Sequence, residues 1–304
     1  MNDGFILNYQ KYYSTDNYFL ELKLIESPVI LNYLLNSKFL TIFLSGGIGK
    51  TDIFERLVNI SKDKIQNYYR REWTDDNIYQ NVYLTNVSNT NMNNNSFYGE
   101  ILMKLCKVIP DGIICYFSSS TLMEYYIQKW NEQDVFNYIL NDKLIFIEEQ
   151  DSIKLSQVIT NYKKACEMGR GGLLFTSTRN KLSIFDHSLN SYYSRSIVFI
   201  GFPIETKLSK TFELKLEYLK KNFDLDSKEF LNYDTFRLFS NKLCEKIKDS
   251  SDKKVLVILD EKLISNKLKE YLPVWLHKLI HVDFDRENVN TDERIRNIKK
   301  FLTD

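Results

Sequence analysis

Five short apolar runs dominate this chain from Gly112 onward: Gly112 to Phe117, Leu144 to Ile147, Gly172 to Thr176, Ser196 to Ile200 and Val255 to Leu259. Each is too short for a helix and too uniformly apolar for a strand with one wet face, so each fits a strand buried on both faces. Stretches with apolar residues at helical spacing lie between most of them, at Thr121 to Trp130, Ser156 to Glu167, Lys207 to Asn222 and Thr235 to Lys248. In the first of these Leu122, Tyr126, Ile127 and Trp130 form the inward stripe. Strand and helix in alternation predict a parallel sheet covered on both sides, an α/β architecture. A strand at Tyr83 to Thr85, a helix at Tyr98 to Lys107 and helices near Leu272 and Glu293 extend the pattern.

The first sixty residues read differently. Gly4 to Tyr13 and Tyr18 to Leu24 alternate apolar and polar residues as paired strands do, and a helix at Pro28 to Asn36, a strand at Phe39 to Leu44 and a helix at Asp52 to Asn59 follow. The Asn-rich stretch Asn86 to Ser96 lacks periodicity and reads as a surface loop.

With 43% hydrophobic and 27% charged residues in 304, the chain can bury a large core. It has no apolar run of membrane-spanning length and no basic-then-apolar leader. Lys and Arg number 41 against 40 Asp and Glu, so contact with nucleic acid requires a local basic patch. Cys106, Cys115, Cys166 and Cys244 have no paired spacing, which predicts free, buried thiols rather than a zinc site or a disulfide framework. His187, His277 and His281 form no ligand spacing either.

Two strings suggest nucleotide chemistry. Ser45 to Thr51, SGGIGKT, joins a strand to a helix as a phosphate-binding loop does, but the first glycine of G-x-x-x-x-G-K-[ST] is Leu44. VLVILDE, Val255 to Glu261, ends an apolar strand in an acid able to hold magnesium. Taken together they define one alternative, an independent P-loop NTPase with Lys50 on phosphate and Asp260 on the metal. The plainer reading makes Lys50 a solvated helix-start residue and Asp260 the turn after a strand.

Seven strings in order carry a second signal: SGGIGKTDIFERL (Ser45 to Leu57), PDGIICYFSSS (Pro110 to Ser120), LIFIEEQD (Leu144 to Asp151), ACEMGRGGLLF (Ala165 to Phe175), TFELKLEYLKKNFDL (Thr211 to Leu225), YDTFRLF (Tyr233 to Phe239) and LPVWLHKLI (Leu272 to Ile280). They resemble the carboxyl-terminal half of XPD-like DNA repair helicases, the DEAH and iron-sulfur type within superfamily 2. The resemblance implies a RecA-like second motor domain over 61–304, preceded by a remnant of the end of the first over 1–60. It also implies nucleotide excision repair and transcription initiation as the setting, TFIIH-like subunits and DNA as partners, a nuclear location, and ATP with magnesium as the family's cofactors. A separate amino-terminal helicase half is a further implied partner.

The family's motif V falls on Thr178 to Asp186, where Arg179, Lys181, Ser183 and Asp186 fit, the last two on the nucleotide side. Its arginine-finger motif, Q-x-x-G-R-x-x-R, falls on Asn241, Cys244, Glu245 and Lys248, in a register fixed by Arg237 and Asp260. Glu245 reverses the charge that an arginine finger supplies to a transferred phosphoryl group. The resemblance therefore implies a degenerate site: no catalysis by the chain alone, no bound nucleotide and no iron-sulfur cluster, which belongs to the family's amino-terminal half. Ser118, Ser119, Ser120, Arg170, Arg179 and Lys181 remain as nucleic-acid candidates, hydroxyls and cations suited to phosphate.

Overall fold

The computed structural model describes residues 5–11, 18–24, 45, 47, 49–60, 78–83, 92–179, 188–189, 191–201, 209–246, 253–260, 269–279 and 291–303. The expected helix at Pro28 to Asn36 and strand at Phe39 to Leu44 lie outside them.

Six strands form one parallel sheet: β3 (Ile78–Tyr83), β4 (Gly112–Phe117), β5 (Leu144–Ile147), β6 (Gly172–Ser177), β7 (Ser196–Ile200) and β8 (Lys254–Leu259), in the order β3-β8-β7-β4-β6-β5. The expected α/β, RecA-like parallel sheet is what the chain forms. β4 sits inside, with Ile113 opposite Leu173 on one side and opposite Ser196 on the other. Separately, β1 (Phe5–Lys11) and β2 (Tyr18–Leu24) pair antiparallel, as the alternation predicts.

The period of two in β4 divides the core. Ile113, Cys115 and Phe117 face one layer, with α2 (Met92–Val108), α3 (Ser120–Glu132), α4 (Val135–Asp142) and α9 (Thr291–Thr303). Ile114 and Tyr116 face the other, with α5 (Ser152–Glu167), α7 (Ser227–Lys246) and α8 (Val274–Leu279). Trp130 of α3 is fully buried among Phe117, Tyr126 and Phe175, at ring separations of 6.1, 5.3 and 5.7 Å. A third cluster joins α1 (Thr51–Val58), α6 (Lys210–Phe223) and α7 through Ile53, Leu216, Leu219, Phe230 and Tyr233.

Three details correct the sequence reading. The Asn-rich segment is helical from Met92 onward, because the stripe Tyr98, Ile101, Leu102 and Leu105 is fully buried and anchors a helix that extends back through Asn93–Asn95. The first sheet strand is described over Ile78–Tyr83, starting five residues before the expected Tyr83 to Thr85, whose last two residues lie outside the described ones; it is an edge strand whose Gln80 and Asn81 interrupt the apolar run. Helix α7 begins at Ser227, eight residues before Thr235.

Cations close the edge where the strands begin. Lys143, 1% exposed, donates to the carbonyls of Pro110 and Asp111 at 3.3 and 2.6 Å, and burial pulls its pKa below the usual lysine value. Lys254 donates to Ser194 Oγ at 3.2 Å, and Arg195 pairs with Asp111 at 3.0 Å. The four cysteines are free, Cys106, Cys115 and Cys166 buried and Cys244 half-buried. Among the described residues no helix is long and apolar enough to cross a membrane.

Candidate nucleic-acid interface

Because all six strands run one way, their carboxyl ends share one edge, and β4, β6 and β7 meet there. Ser118 N–H donates to Ile200 O at 3.2 Å, Thr178 N–H to Phe117 O at 2.9 Å, and Thr178 Oγ1 to Ser118 O at 3.3 Å. These bonds bring Ser118 to Ser120 and Thr178–Arg179 side by side. Ser119 is the N-cap of α3: its backbone is extended and its Oγ accepts from Leu122 N–H at 3.1 Å. Its hydroxyl thus serves the helix. Nearby, the buried Glu148 accepts from Thr176 Oγ1 at 3.1 Å and Ser177 N–H at 3.0 Å, tying the end of β5 to that of β6.

Arg179 does more than sequence reasoning assigned to it. Its Nη2 lies 2.8 Å from Asp234 Oδ2, and Arg237 Nη2 lies 2.7 Å from Asp234 Oδ1, so one carboxylate on α7 holds a guanidinium on each oxygen. The Asp234 side chain is 11% exposed, against 32% for Arg179 and 38% for Arg237: the acid is inside and the cations reach water. Burial pushes the Asp234 carboxyl up, but the bonds and charges of Arg237 and Arg179 outweigh it and hold the group below its ordinary value. Lys215 of α6 is close enough to feel all three charges, and burial with the two arginines lowers its pKa.

Arg170 does not join this edge. It precedes β6, at the opposite end of the sheet, and donates from Nη1 to Asn141 O at 3.0 Å and from Nη2 to Leu140 O, closing the carboxyl end of α4. A cation suits a helix carboxyl terminus on electrostatic grounds. Lys181, Ser183, Asp186, Lys248, His187 and His281 lie outside the described residues.

The glycine loop is filled by protein. A Cβ on Gly47 would stand 1.8 Å from Asn241 Oδ1, and one on Gly49 would stand 1.8 Å from Tyr271 O, so glycine here permits close packing against α7 and the turn before α8. Ser45 Oγ accepts from Gly47 N–H at 3.2 Å. Lys50 Nζ is 3.8 Å from Glu229 and 5.1 Å from the Tyr271 ring centre. The hollow of about 410 Å³ beside Gly49 is lined also by Glu270, Leu272, Val274 and His277, an acidic and apolar wall unsuited to a triphosphate. Asp260 follows β8 and is 1% exposed.

The arginine-finger positions do not suit ATP either. Asn241 is covered by Gly47, burial together with the charge of Glu245 pushes the Cys244 thiol up to about 12, and Glu245 is an acid where the chemistry calls for a cation. Among the described residues no group of three His, Cys, Asp or Glu converges as a metal site.

Comparison with known proteins agrees with this architecture. The chain is 28% identical over 272 residues to the "General transcription and DNA repair factor IIH helicase subunit XPD" of Arabidopsis thaliana, covering 86% of this chain and 35% of that protein. It is 33% identical over 205 residues to the subunit of the same name in Dictyostelium discoideum, covering 67% and 26% respectively. It thus spans about a third or less of those relatives. A solved XPD helicase superposes with a TM-score of 0.59 at 17% identity, over 88% of this chain and 46% of that one, which supports the fold. Residues 102–279, more than half of the chain, match the helicase C-terminal domain family, and the chain belongs to it as an XPD-like member.

Proposed function

We propose that this chain is the carboxyl-terminal module of an XPD-like helicase, acting in the nucleus in DNA repair and transcription initiation of the factor IIH type. In this reading residues 1–60 are the end of a first motor domain and 61–304 the second. It binds DNA and IIH-like subunits, with a separate amino-terminal half as a further partner, and contributes structure rather than ATP hydrolysis. One observation carries the reading: the parallel sheet is covered on both faces, while the finger positions Asn241, Cys244 and Glu245 hold no cation, only Lys248 keeps a positive charge, and Gly47 is packed over Asn241. An arginine finger is typically worth about 10³ to 10⁵ in rate, so losing this charge abolishes useful turnover.

The test uses the purified chain with single-stranded oligonucleotides, with and without ATP and magnesium. The expected result is no turnover, and weak binding that ignores sequence and falls with salt. Replacing Arg179 and Lys181 by Ala flattens the salt dependence. Binding of a fluorescent nucleotide that Lys50→Ala abolishes would instead favour the P-loop alternative. DNA-stimulated hydrolysis restored by Glu245→Arg with Lys248→Arg, in the presence of a natural partner chain, would overturn the scaffold role.

A further inference from the structure

We propose that Arg179 and Arg237, held on the two oxygens of Asp234, form a clamp for a phosphate group. The clamp rests on the nucleic-acid reading for its natural source of phosphate, and it adds one cation, Arg237, that the sequence pattern did not assign.

The residues come from two elements: Arg179 from the turn after β6, and Asp234 with Arg237 from α7. Two guanidiniums share one carboxylate, one on each oxygen. The carboxylate is buried and the guanidiniums are about one third exposed, so the surface they present is cationic. Arg237 gives Asp234 one terminal nitrogen, which restrains the guanidinium while leaving its other N–H groups without a partner among the described residues. A planar fork suits two oxygens of one phosphate, and restraining it in advance lowers the side-chain entropy that binding would otherwise cost. The clamp stands next to the Ser118 to Ser120 turn through Thr178, so an extended phosphodiester chain can touch both.

The full chain is labelled so that the arginine Nε–H signals are visible by NMR, with Arg179→Lys and Arg237→Lys used to assign them. It is then titrated separately with inorganic pyrophosphate and with an oligothymidylate. The expected result is a saturable shift of both arginine signals with each ligand, and about 5- to 10-fold weaker oligonucleotide binding by Arg237→Lys, which keeps the charge and loses the fork. If the oligonucleotide binds while neither signal moves and Arg237→Lys binds normally, the clamp is wrong and the nucleic-acid reading stands. If pyrophosphate moves both signals and the oligonucleotide does not bind, the clamp stands as a site for free polyphosphate and the nucleic-acid reading falls. If nothing moves either signal and the oligonucleotide does not bind, both fall. Should Arg237→Lys fail to fold, Arg179→Lys and the unmodified chain decide between these outcomes.

Discussion

Helix α1 is joined to α6 and α7 by an apolar contact and an ionic one, and their relative weights can be worked out. Ile53 is fully buried among Leu216, Leu219, Leu225, Phe230 and Tyr233. Cutting it to alanine removes three carbons from a closed site. Such changes cost about 2–5 kcal/mol, and this small cluster, rimmed by half-buried Leu57 and Phe212, can partly collapse, which places the loss at about 2–3 kcal/mol. Glu229 offers more visible contacts, to Arg56 at 2.8 Å and to Lys50 at 3.8 Å. Those side chains are 25–32% exposed, so Glu229→Gln costs only about 0.5–1 kcal/mol. Hydrogen exchange followed by mass spectrometry reads the difference locally. At about 1.4 kcal/mol per decade, Ile53→Ala should speed exchange in Thr51–Val58 roughly 30- to 140-fold and Glu229→Gln roughly 2- to 5-fold, with β4 and β6 unchanged in both. Equal acceleration by the two variants, or loss of protection in β4, would refute the argument that packing rather than charge seats this helix.

Two further outcomes follow from the carboxyl edge. Ser119→Ala removes the N-cap of α3 and should cost about 1 kcal/mol in urea unfolding, whereas Ser120→Ala, which removes no described cap, should fall within experimental error. Asp234 has its pKa depressed in the folded chain, so its contribution to stability is complete above the unfolded value and disappears as pH falls through the folded one. Asp234→Asn should therefore lower the urea midpoint at pH 7 and matter progressively less below about pH 4, near the ordinary carboxylate pKa; a gap that stays constant into acid would show that the ion pairs are not its source.

The strands were legible where burial is total. Gly112–Phe117, Gly172–Ser177 and Lys254–Leu259 are buried at every position, and such burial leaves an apolar run in the sequence, with Thr176, Ser177 and Lys254 only at its ends. Legibility faded at the margins. β3 has only one neighbour and carries polar residues, and α4 is only eight residues long and follows Asp134 in a left-handed conformation, so neither produced a clear period. At the site, Ser118 and Arg179 were grouped through the family resemblance as groups suited to phosphate, and they meet because β4 and β6 are neighbours. Arg170 was grouped with them by charge alone, which does not say at which end of a strand a residue sits. Asp234 was missed because an Asp–Arg pair three residues apart looks like an ordinary helix-surface contact, and its other partner lies 55 residues earlier. The signal available was its setting: Tyr233 and Phe236 flank it, which places an acid on a buried stretch of helix.

The two ends of the sheet sort amino-acid changes by the kind of phenotype they produce. At the starting end, Lys143 and Arg170 are occupied by backbone carbonyls, so an allele that alters either should lower the amount of folded protein in the cell while leaving each surviving molecule competent. At the finishing end, Arg237 reaches water while it pairs with Asp234, so an allele there should lower what each molecule can hold by more than it lowers abundance. A survey scoring abundance and binding separately would therefore divide the arginines and lysines of this chain by their position along the strands, where their shared charge cannot divide them.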